Sequence, residues 1–233
     1  MSLIEVKNLE KTYRVGEVET QALRGADLIV EKGEFTAIAG PSGSGKSTLL
    51  HLIGGLDKPT SGEVYLNGQR VDQLSKKEGA AMRLGNLGFV FQAYNLIPVL
   101  TALENAAFVL ELQGVGKRER EAKALASLKA LDMEVFADRR PNQLSGGQQQ
   151  RVAVARAFAA EPDIILADEP TANLDSKSGG GLIELMKHLN EENGVTFVFS
   201  THDPRLLEHV SRIVQMEDGR IVKSEQREAV GTI

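Results

Sequence analysis

The feature that most constrains this chain is Gly40–Thr48, which reads Gly-Pro-Ser-Gly-Ser-Gly-Lys-Ser-Thr. It fits the pattern G-x-x-x-x-G-K-[ST] of a phosphate-binding loop. The apolar run Phe35–Ala39 before it predicts a buried strand, and the apolar run after it predicts a helix starting at Thr48. Strand, loop and helix in this order favour an α/β domain that binds a nucleoside triphosphate. The alternative is an ordinary glycine-rich turn between a strand and a helix.

The chemistry of this phosphate loop lies in its backbone and two side chains. Glycines let successive N–H groups face inward as a nest for anionic oxygens, and the following helix directs its positive end to the same point. Lys46 adds a charge near the β- and γ-phosphates, and the Ser47 hydroxyl can bind Mg²⁺. We expect the whole loop to contact the nucleotide: Gly40, Pro41, Ser42, Gly43, Ser44, Gly45, Lys46, Ser47 and Thr48.

Composition narrows the function classes. The formal net charge of -5 does not favour binding to nucleic acid or to an anionic membrane surface. The chain has no cysteine, which excludes disulfides and thiolate metal sites and fits a reducing compartment. No apolar run approaches the roughly 20 residues that span a bilayer, and Met1–Lys7 has no secretory apolar region. We therefore expect no direct membrane insertion, so that a membrane role requires a partner chain.

Strand patterns dominate both ends of the chain. Leu3–Tyr13 is predicted to be an edge strand and Gln21–Val30 a second strand. Val64–Val71 predicts a hairpin around an Asn67-Gly68 turn. Further strands are predicted at Gly88–Phe91, Ile164–Ala167 and Val195–Ser200, a helix at Gly181–Leu189, and a closing hairpin at Ile213–Val222.

Residues from about 93 to 158 lack strand patterns. Helices are predicted at Leu103–Leu112, Arg118–Leu131 and Gln148–Ala160. We interpret this part as a helical subdomain inserted into a nucleotide-binding core of residues 1–92 and 159–233, all within one domain of residues 1–233. The final Ala229–Ile233 is expected to fray. The second helix is predicted to bury an apolar stripe of Ala122, Leu125, Leu128 and Leu131.

Two acids end the apolar strand Ile164–Ala167. Acids at the carboxyl end of a parallel strand lie where such sheets bind ligands. Asp168 is expected to hold Mg²⁺, directly or through water, and Glu169 to act as general base toward a water in line with the γ-phosphate. The alternative is a strand followed by solvated acids.

A second candidate anion site is Leu144–Gln148, which reads Leu-Ser-Gly-Gly-Gln before a predicted helix. Ser145 and Gln148 fit an S-x-x-Q capping box, which is the structural alternative. A capping box does not need two glycines, however, and Gly146 and Gly147 would leave the helix N-terminus bare for a phosphate. Two such sites in one chain are redundant unless they reach one nucleotide from opposite sides, which predicts a head-to-tail dimer.

These motifs together resemble those of the ATP-binding-cassette (ABC) ATPases, and the resemblance covers almost the whole chain. It implies a P-loop NTPase (RecA-like) core with an antiparallel β subdomain and an inserted α-helical subdomain. It also implies ATP and Mg²⁺ as cofactors and an ATP-dependent homodimer. The motifs occur in the family's order: Gly40–Ser47, Gln92, Leu144–Gln148, Asp168-Glu169, Asp175 and His202.

The resemblance assigns roles to four single residues. Tyr13 would stack on adenine, and Gln92 would bind Mg²⁺ and link the catalytic site to the helical insert. Asp175 would lie at the dimer interface, and His202 would contact the γ-phosphate. A tyrosine at a strand end can equally be packing. A lone histidine can be structural or exposed, as we assume for His51, His188 and His209. His202 differs because its strand should end at the same sheet edge as the acids.

Within the family, several sequence segments resemble the branch that powers lipoprotein release and macrolide export, although the related cell-division ATPases share much of this sequence. The apolar segment Tyr94–Leu100 packs into the insert or receives a helix of the partner, and the resemblance favours the second. Gly179–Gly181 departs from the expected polar helix formers, and each glycine costs about 1 kcal/mol there relative to alanine. The segments that resemble this branch are Phe91–Pro98, Ala167–Thr171, Asn173–Ser176 and Thr201–Asp203.

The predicted function is an ATP-hydrolysing subunit that drives a separate integral-membrane permease, contacted near Gln92–Leu100. It would sit in the cytoplasm on the inner face of the membrane. A soluble ABC protein acting on nucleic acid usually has two cassettes or a long coiled-coil insertion, and neither is visible. A small-molecule P-loop kinase would leave Leu144–Gln148 without a role.

Overall fold

The computed structural model of the chain describes residues 2–227, so the expected fraying of Ala229–Ile233 lies outside the described residues. These residues form two compact units. One unit contains the residues up to Arg83 together with those from Thr196 onward, and the other is Leu84–Val195. None of the described helices is long and apolar enough to cross a membrane.

Ten strands and seven α-helices make up the described residues. The strands are β1 (Ser2–Val15), β2 (Val18–Glu31), β3 (Phe35–Ala39), β4 (Ser61–Leu66), β5 (Gln69–Arg70), β6 (Leu87–Phe91), β7 (Ile164–Asp168), β8 (Thr196–Thr201), β9 (Arg212–Glu217) and β10 (Arg220–Gln226). The helices are α1 (Lys46–Ile53), α2 (Lys76–Asn86), α3 (Ala102–Leu112), α4 (Lys117–Ala130), α5 (Gly146–Phe158), α6 (Ser176–Asn193) and α7 (Pro204–His209).

The first unit contains an antiparallel sheet in the order β2-β1-β4-β5. The prediction that Leu3–Tyr13 is an edge strand is wrong, because β1 pairs with β2 on one side and with β4 on the other. Alternating apolar residues fit a central strand of an antiparallel sheet as well as an edge strand. The predicted hairpin turn is confirmed: Asn67 and Gly68 have φ of 49° and 76°, as a type I′ turn requires.

A second group of strands in the same unit follows the order β10-β9-β3-β8. β3 lies between two parallel neighbours, β8 and β9, and every residue of β3 and β8 is buried. Phe35 packs edge-on against Phe197 and Phe199, with ring centroids 5.4 and 4.7 Å apart. This apolar packing holds the start of β3, and the phosphate loop leaves from the other end of the strand, after Ala39.

The second unit is built around α5. This helix contacts α3, α4, α6 and strand β6, and six of its residues are buried. β6 and β7 pair in parallel with Phe91 opposite Asp168. α5 therefore links the helical part of this unit to the strands that carry the acids.

The predicted stripe on α4 is wrong in its first half. Leu128 and Leu131 are buried, but Ala122 and Leu125 are exposed. The four residues are spaced three apart. At about 100° per residue, each step of three falls about 60° short of a full turn, so the three steps from Ala122 to Leu131 lead to the opposite face of the helix. Leu128 shares its buried face with Ala124 and Ser127 instead.

Two helices, α2 and α7, are not predicted from the sequence. α2 buries only Gly79 and Met82, so its apolar periodicity is weak. α7 has six residues and begins with Pro204 after the capping residue Asp203. Both are too short or too polar to show a helical pattern.

Candidate functional site

The phosphate loop depends on glycine at specific points. Gly43 and Gly45 have φ of 80° and 101°, a conformation that L side chains rarely adopt. A Cβ added at Gly45 would lie 2.5 Å from the Ala22 carbonyl oxygen, and one at Gly40 would lie 2.1 Å from that of Met216. Strands β2 and β9 therefore hold the loop so closely that only glycine fits at these two positions.

The side chains and helix end at the loop fit a phosphate group. Lys46 is 6% exposed, and its Nζ donates to the carbonyl oxygens of Gly40 and Pro41 at 2.9 and 2.8 Å. The Ser44 hydroxyl is buried and has no hydrogen-bond partner among the described residues. Helix α1 begins after Gly45 without a side-chain cap and with no acid in its first turn. Its N–H donors and the lysine charge thus converge on one end of the helix.

Tyr13 lies beside the loop, as the adenine assignment requires. Its hydroxyl donates to Asp57 Oδ2 at 3.0 Å, and its side chain also contacts Thr48. Lys11 Nζ lies 4.8 Å from the ring centroid, and Tyr13 is 38% exposed. Burial, and then the bond to Asp57, raises the pKa of Tyr13. The ring is therefore held in place but still accessible.

His202 follows β8 in the same unit. Ala39 at the end of β3 pairs with Thr201 at the end of β8. The phosphate loop and His202 therefore leave adjacent strands at the same edge. His202 is exposed, and Asp203 next to it caps α7.

Gln92 and the two acids follow neighbouring strands of the second unit. Because Phe91 pairs with Asp168, Gln92 and Glu169 leave β6 and β7 at the same edge. Asn173 connects the loops that follow: its Nδ2 donates to the Gln92 carbonyl at 3.0 Å, and its Oδ1 lies 3.4 Å from Gln92 Nε2. Within residues 2–227, no three or more His, Asp or Glu side chains lie close enough together to hold a metal ion by themselves.

The segment Ser145–Gln148 forms the capping box. Ser145 Oγ accepts from Gln148 N at 3.3 Å, and Gln148 Oε1 accepts from Ser145 N at 2.8 Å. The expectation of a wholly bare helix end therefore needs correction, because the Gln148 N–H already has a partner. The box does not include the N–H groups of Gly146 and Gly147. A Cβ at Gly146 would lie 2.8 Å from the Tyr94 hydroxyl, and one at Gly147 would lie 3.1 Å from Ser178 Cβ.

Asp175 caps helix α6. Its carboxylate accepts from the N–H groups of Lys177 and Ser178, both at 3.0 Å. The side chain of Ser178, and then its N–H, lowers the pKa of Asp175. Gly181 on the same helix lies against α5: an added Cβ would be 3.3 Å from Arg151 Nη2. A side chain at position 181 would therefore have to share this space with the end of Arg151, a contact that the sequence alone did not indicate.

Several residues that hold these elements were not predicted. Gln150 donates to the main chain beside Gln92 and Glu169, and Arg156 donates to the carbonyls of Tyr94 and Asn95. They follow Leu144–Gln148 in the sequence, but no spacing rule connects them to partners that lie between 20 and 62 residues away. Only the packing of α5 against β6 shows their partners.

A phosphate loop after a buried parallel strand, with acids at the end of another, defines a P-loop nucleoside triphosphatase. The chain belongs to the ABC transporter family, whose sequence model matches residues 23–172. It is 50% identical over 228 residues to MJ0796 of Methanocaldococcus jannaschii, an ABC transporter ATP-binding protein, covering 96% of this chain and 97% of that one. The chain is therefore an ATPase, as its motifs predicted.

Solved structures and a longer relative agree with this assignment. A dimeric structure of MJ0796, described as a post-hydrolysis state bound to ADP and Pi, matches with a TM-score of 0.89 and 49% identity over 96% of this chain and 98% of that one. The α/β fold of ABC ATPases is thereby confirmed. The macrolide export ATP-binding/permease protein MacB of Syntrophobacter fumaroxidans is 45% identical over 223 residues, 95% of this chain but 31% of MacB. That relative supports the predicted branch.

Proposed function

We propose that two copies of this chain close on ATP and drive a separate membrane permease. The observation that carries the proposal is that one chain has two candidate phosphate-binding helix N-termini, which differ in their capping. Helix α1 has its own lysine and no side-chain cap, whereas α5 has a capping box, two glycines and no lysine. In a head-to-tail pair, the phosphate loop of one copy and Ser145–Gln148 of the other would face one nucleotide. The structure of MJ0796 is dimeric and holds ADP and Pi, which supports a dimer that binds nucleotide.

The described residues supply the parts that hydrolysis needs. Lys46 and the loop N–H groups hold the phosphates, and His202 contacts the γ-phosphate. Glu169 accepts a proton from the attacking water as general base. Oxygen donors that suit Mg²⁺ come from Ser47, Asp168 and Gln92. These residues would hold Mg²⁺, which would offset negative charge on the phosphates when bound.

Two further residues complete the proposed nucleotide site. The ring of Tyr13 stacks on adenine, which its partial exposure beside Thr48 permits. Asp175 lies at the interface between the copies, where its bonds to Lys177 and Ser178 fix the start of α6. Within each copy we assign residues 93–158 to a helical subdomain and residues 1–92 and 159–233 to the core.

The partner segment, Gln92–Leu100, is the proposed contact with the permease. None of its residues is buried, and Val99 is 72% exposed. Tyr94 and Asn95 have φ of 59° and 51°, and Arg156 holds both carbonyls. A groove of about 290 Å³ adjoins Asn95. Its wall is largely apolar, which suits the apolar face of a helix; among its lining residues are Phe89, Phe91, Phe108, Val109 and Leu112.

The relative MacB favours a permease of the macrolide-export type, and the motifs resemble those of the lipoprotein-releasing type as well. In this proposal the chain lies on the cytoplasmic face of the membrane, where it is held by the permease. A permease-like partner in cell division and a soluble non-transport ABC ATPase are the alternatives. Co-purification from detergent-solubilised membranes decides among them. An integral-membrane permease that is lost when Val99 is replaced by Asp supports the proposal, and recovery of only soluble partners contradicts it.

The dimer is tested with Glu169→Gln, which keeps the side-chain shape and removes the base. Hydrolysis should fall by about 10²–10⁴-fold while ATP binding persists, because less negative charge then faces the γ-phosphate. The variant should therefore accumulate as an ATP-bound dimer in light scattering, and ADP should not produce that dimer.

Ser145→Arg in the Glu169→Gln background should prevent this dimer, because it adds bulk where the partner's phosphate approaches. Thr101→Arg is the matched control, since Thr101 caps α3 with a box of the same kind. A monomer with ATP in Glu169→Gln, or a dimer that survives Ser145→Arg, would contradict the shared site.

A further inference from the structure

Gln150 occupies an unusual place in α5. Its side chain is fully buried, and its Nε2 donates to two main-chain carbonyls, those of Phe91 at 3.3 Å and Pro170 at 2.9 Å. Phe91 directly precedes Gln92, and Pro170 directly follows Glu169. One amide thus holds the main chain beside two of the proposed catalytic residues.

The orientation of this amide follows from its partners. Two carbonyl oxygens can be satisfied only by an NH₂ group, so the Gln150 oxygen must point away. That Oε1 is buried and accepts no hydrogen bond from any described residue. A buried oxygen without a donor opposes folding. The Gln150 side chain therefore stabilises the fold less than its two bonds suggest. The presence of a glutamine at this buried position is better explained by where its two partners lie, beside Gln92 and Glu169.

The main chain at Glu169 is strained. Its φ is 47°, in the left-handed region that a residue other than glycine seldom adopts. The chain then turns back, with Ala172 N donating to the Glu169 carbonyl at 3.2 Å and Leu174 N to that of Thr171 at 3.1 Å. Such a conformation persists where the surroundings hold it. The bond from Gln150 acts on the carbonyl of the very next residue, Pro170.

We propose that Gln150 is a positioning residue for hydrolysis, which fixes the direction in which Glu169 leaves strand β7. The bond to the Phe91 carbonyl holds the amide against β6, and the bond to the Pro170 carbonyl transmits that position to Glu169. The inference rests on the proposed function, in which Glu169 is the general base. A shift of about 1 Å in a catalytic group can lower the rate by about 10²-fold.

The experiment replaces Gln150 by Met, which has similar length and no donor. The kcat for ATP should fall about 10–100-fold. The KM should change less than about twofold, because the two bonds of the Gln150 amide go to Phe91 and Pro170, and neither is a residue proposed to bind the nucleotide. The melting temperature measured without nucleotide should also fall. Gln150→Glu keeps the shape and can donate to only one of the two carbonyls, and only when its carboxyl group is protonated. It serves if the Met variant does not fold, and its kcat should also fall.

Asn190→Leu is the matched control. Asn190 Nδ2 donates to the Val195 carbonyl at 2.8 Å, so this variant also removes an amide donor to the main chain. It lies near the other end of α6, about 22 Å along the helix from Asp175. Its melting temperature should fall while kcat is retained. A similar kcat loss in Asn190→Leu, or unchanged kcat in folded Gln150 variants, overturns the proposal.

A double variant shows whether Gln150 acts through Glu169. In the Glu169→Gln background, Gln150→Met should lower the residual hydrolysis of labelled ATP by less than about twofold, because the base is already absent. A further fall as large as in the wild-type background would show independent action and overturn the proposal. If Glu169→Gln alone keeps full hydrolysis, the proposed function fails instead, so the two failures are distinguishable.

Discussion

The two helix N-termini that we assign to the nucleotide differ in what already occupies them. Helix α1 begins after Gly45 without a side-chain cap, and Lys46 lies folded onto its own loop. Helix α5 begins with a complete capping box in which Ser145 and Gln148 satisfy each other. The first end can offer its N–H groups without breaking a side-chain cap. The second offers only those that the box leaves, so it suits a contact made after the nucleotide is already held.

A third helix shows which part of this difference concerns function. Helix α3 has the same box, with Glu104 N donating to Thr101 Oγ1 at 3.2 Å and Thr101 N to Glu104 Oε2 at 2.8 Å. Ala102 follows Thr101, whereas Gly146 and Gly147 follow Ser145. The box is therefore a general device for starting a helix, and the glycines are what distinguish α5.

The largest expected effect is a loss of ATP affinity when Lys46, at the start of α1, is replaced. Lys46→Ala should weaken ATP binding at least about 100-fold, about 3 kcal/mol, because charge-assisted bonds to phosphate are lost. Lys7→Ala, which removes an equal charge from the same unit, should bind as the wild type does. Titration with a fluorescent nucleotide measures both affinities. A Lys46→Ala protein that binds ATP within tenfold of the wild type would show that the loop backbone suffices.

A smaller effect separates the two capping boxes. Ser145→Ala and Thr101→Ala should each lower the free energy of unfolding by about 1 kcal/mol, because each removes one cap. Only Ser145→Ala should change the ATP-dependent dimerisation of the Glu169→Gln protein. Urea unfolding and light scattering measure the two properties. Equal dimerisation in both variants would mean that the Ser145 hydroxyl acts only as a cap.

The smallest effect concerns two neighbouring glycines of α6, Gly180 and Gly181. Gly180→Ala should raise the free energy of unfolding by about 0.5–1 kcal/mol, since no atom lies within 4 Å of the added Cβ. Gly181→Ala should gain less, because its Cβ meets Arg151 Nη2 at 3.3 Å. Arg151 in turn bonds the Leu131 carbonyl and Asp132. Equal gains in urea unfolding would mean that Arg151 moves aside freely.

Local chemistry explains what could be predicted. The phosphate loop, the Asn67-Gly68 turn and the box at Ser145 each depend on a few neighbouring residues whose backbone preferences are strong. Helix α4 was placed correctly, but its buried face was not, because that face depends on what packs against it. Helix α2 was not predicted, because it buries only Gly79 and Met82 and so has no apolar stripe in its sequence.

The sequence by itself determined the family, the phosphate loop and most of the strands and helices, because these depend on short motifs and local periodicity. Only the tertiary structure decided which side chains hold the site in place. Gln150 reaches carbonyls at positions 91 and 170, and a Cβ at Gly146 would meet the Tyr94 hydroxyl. Such contacts join residues that are distant in the chain. They arise only when α5 packs against β6, and no local pattern encodes which residues then meet.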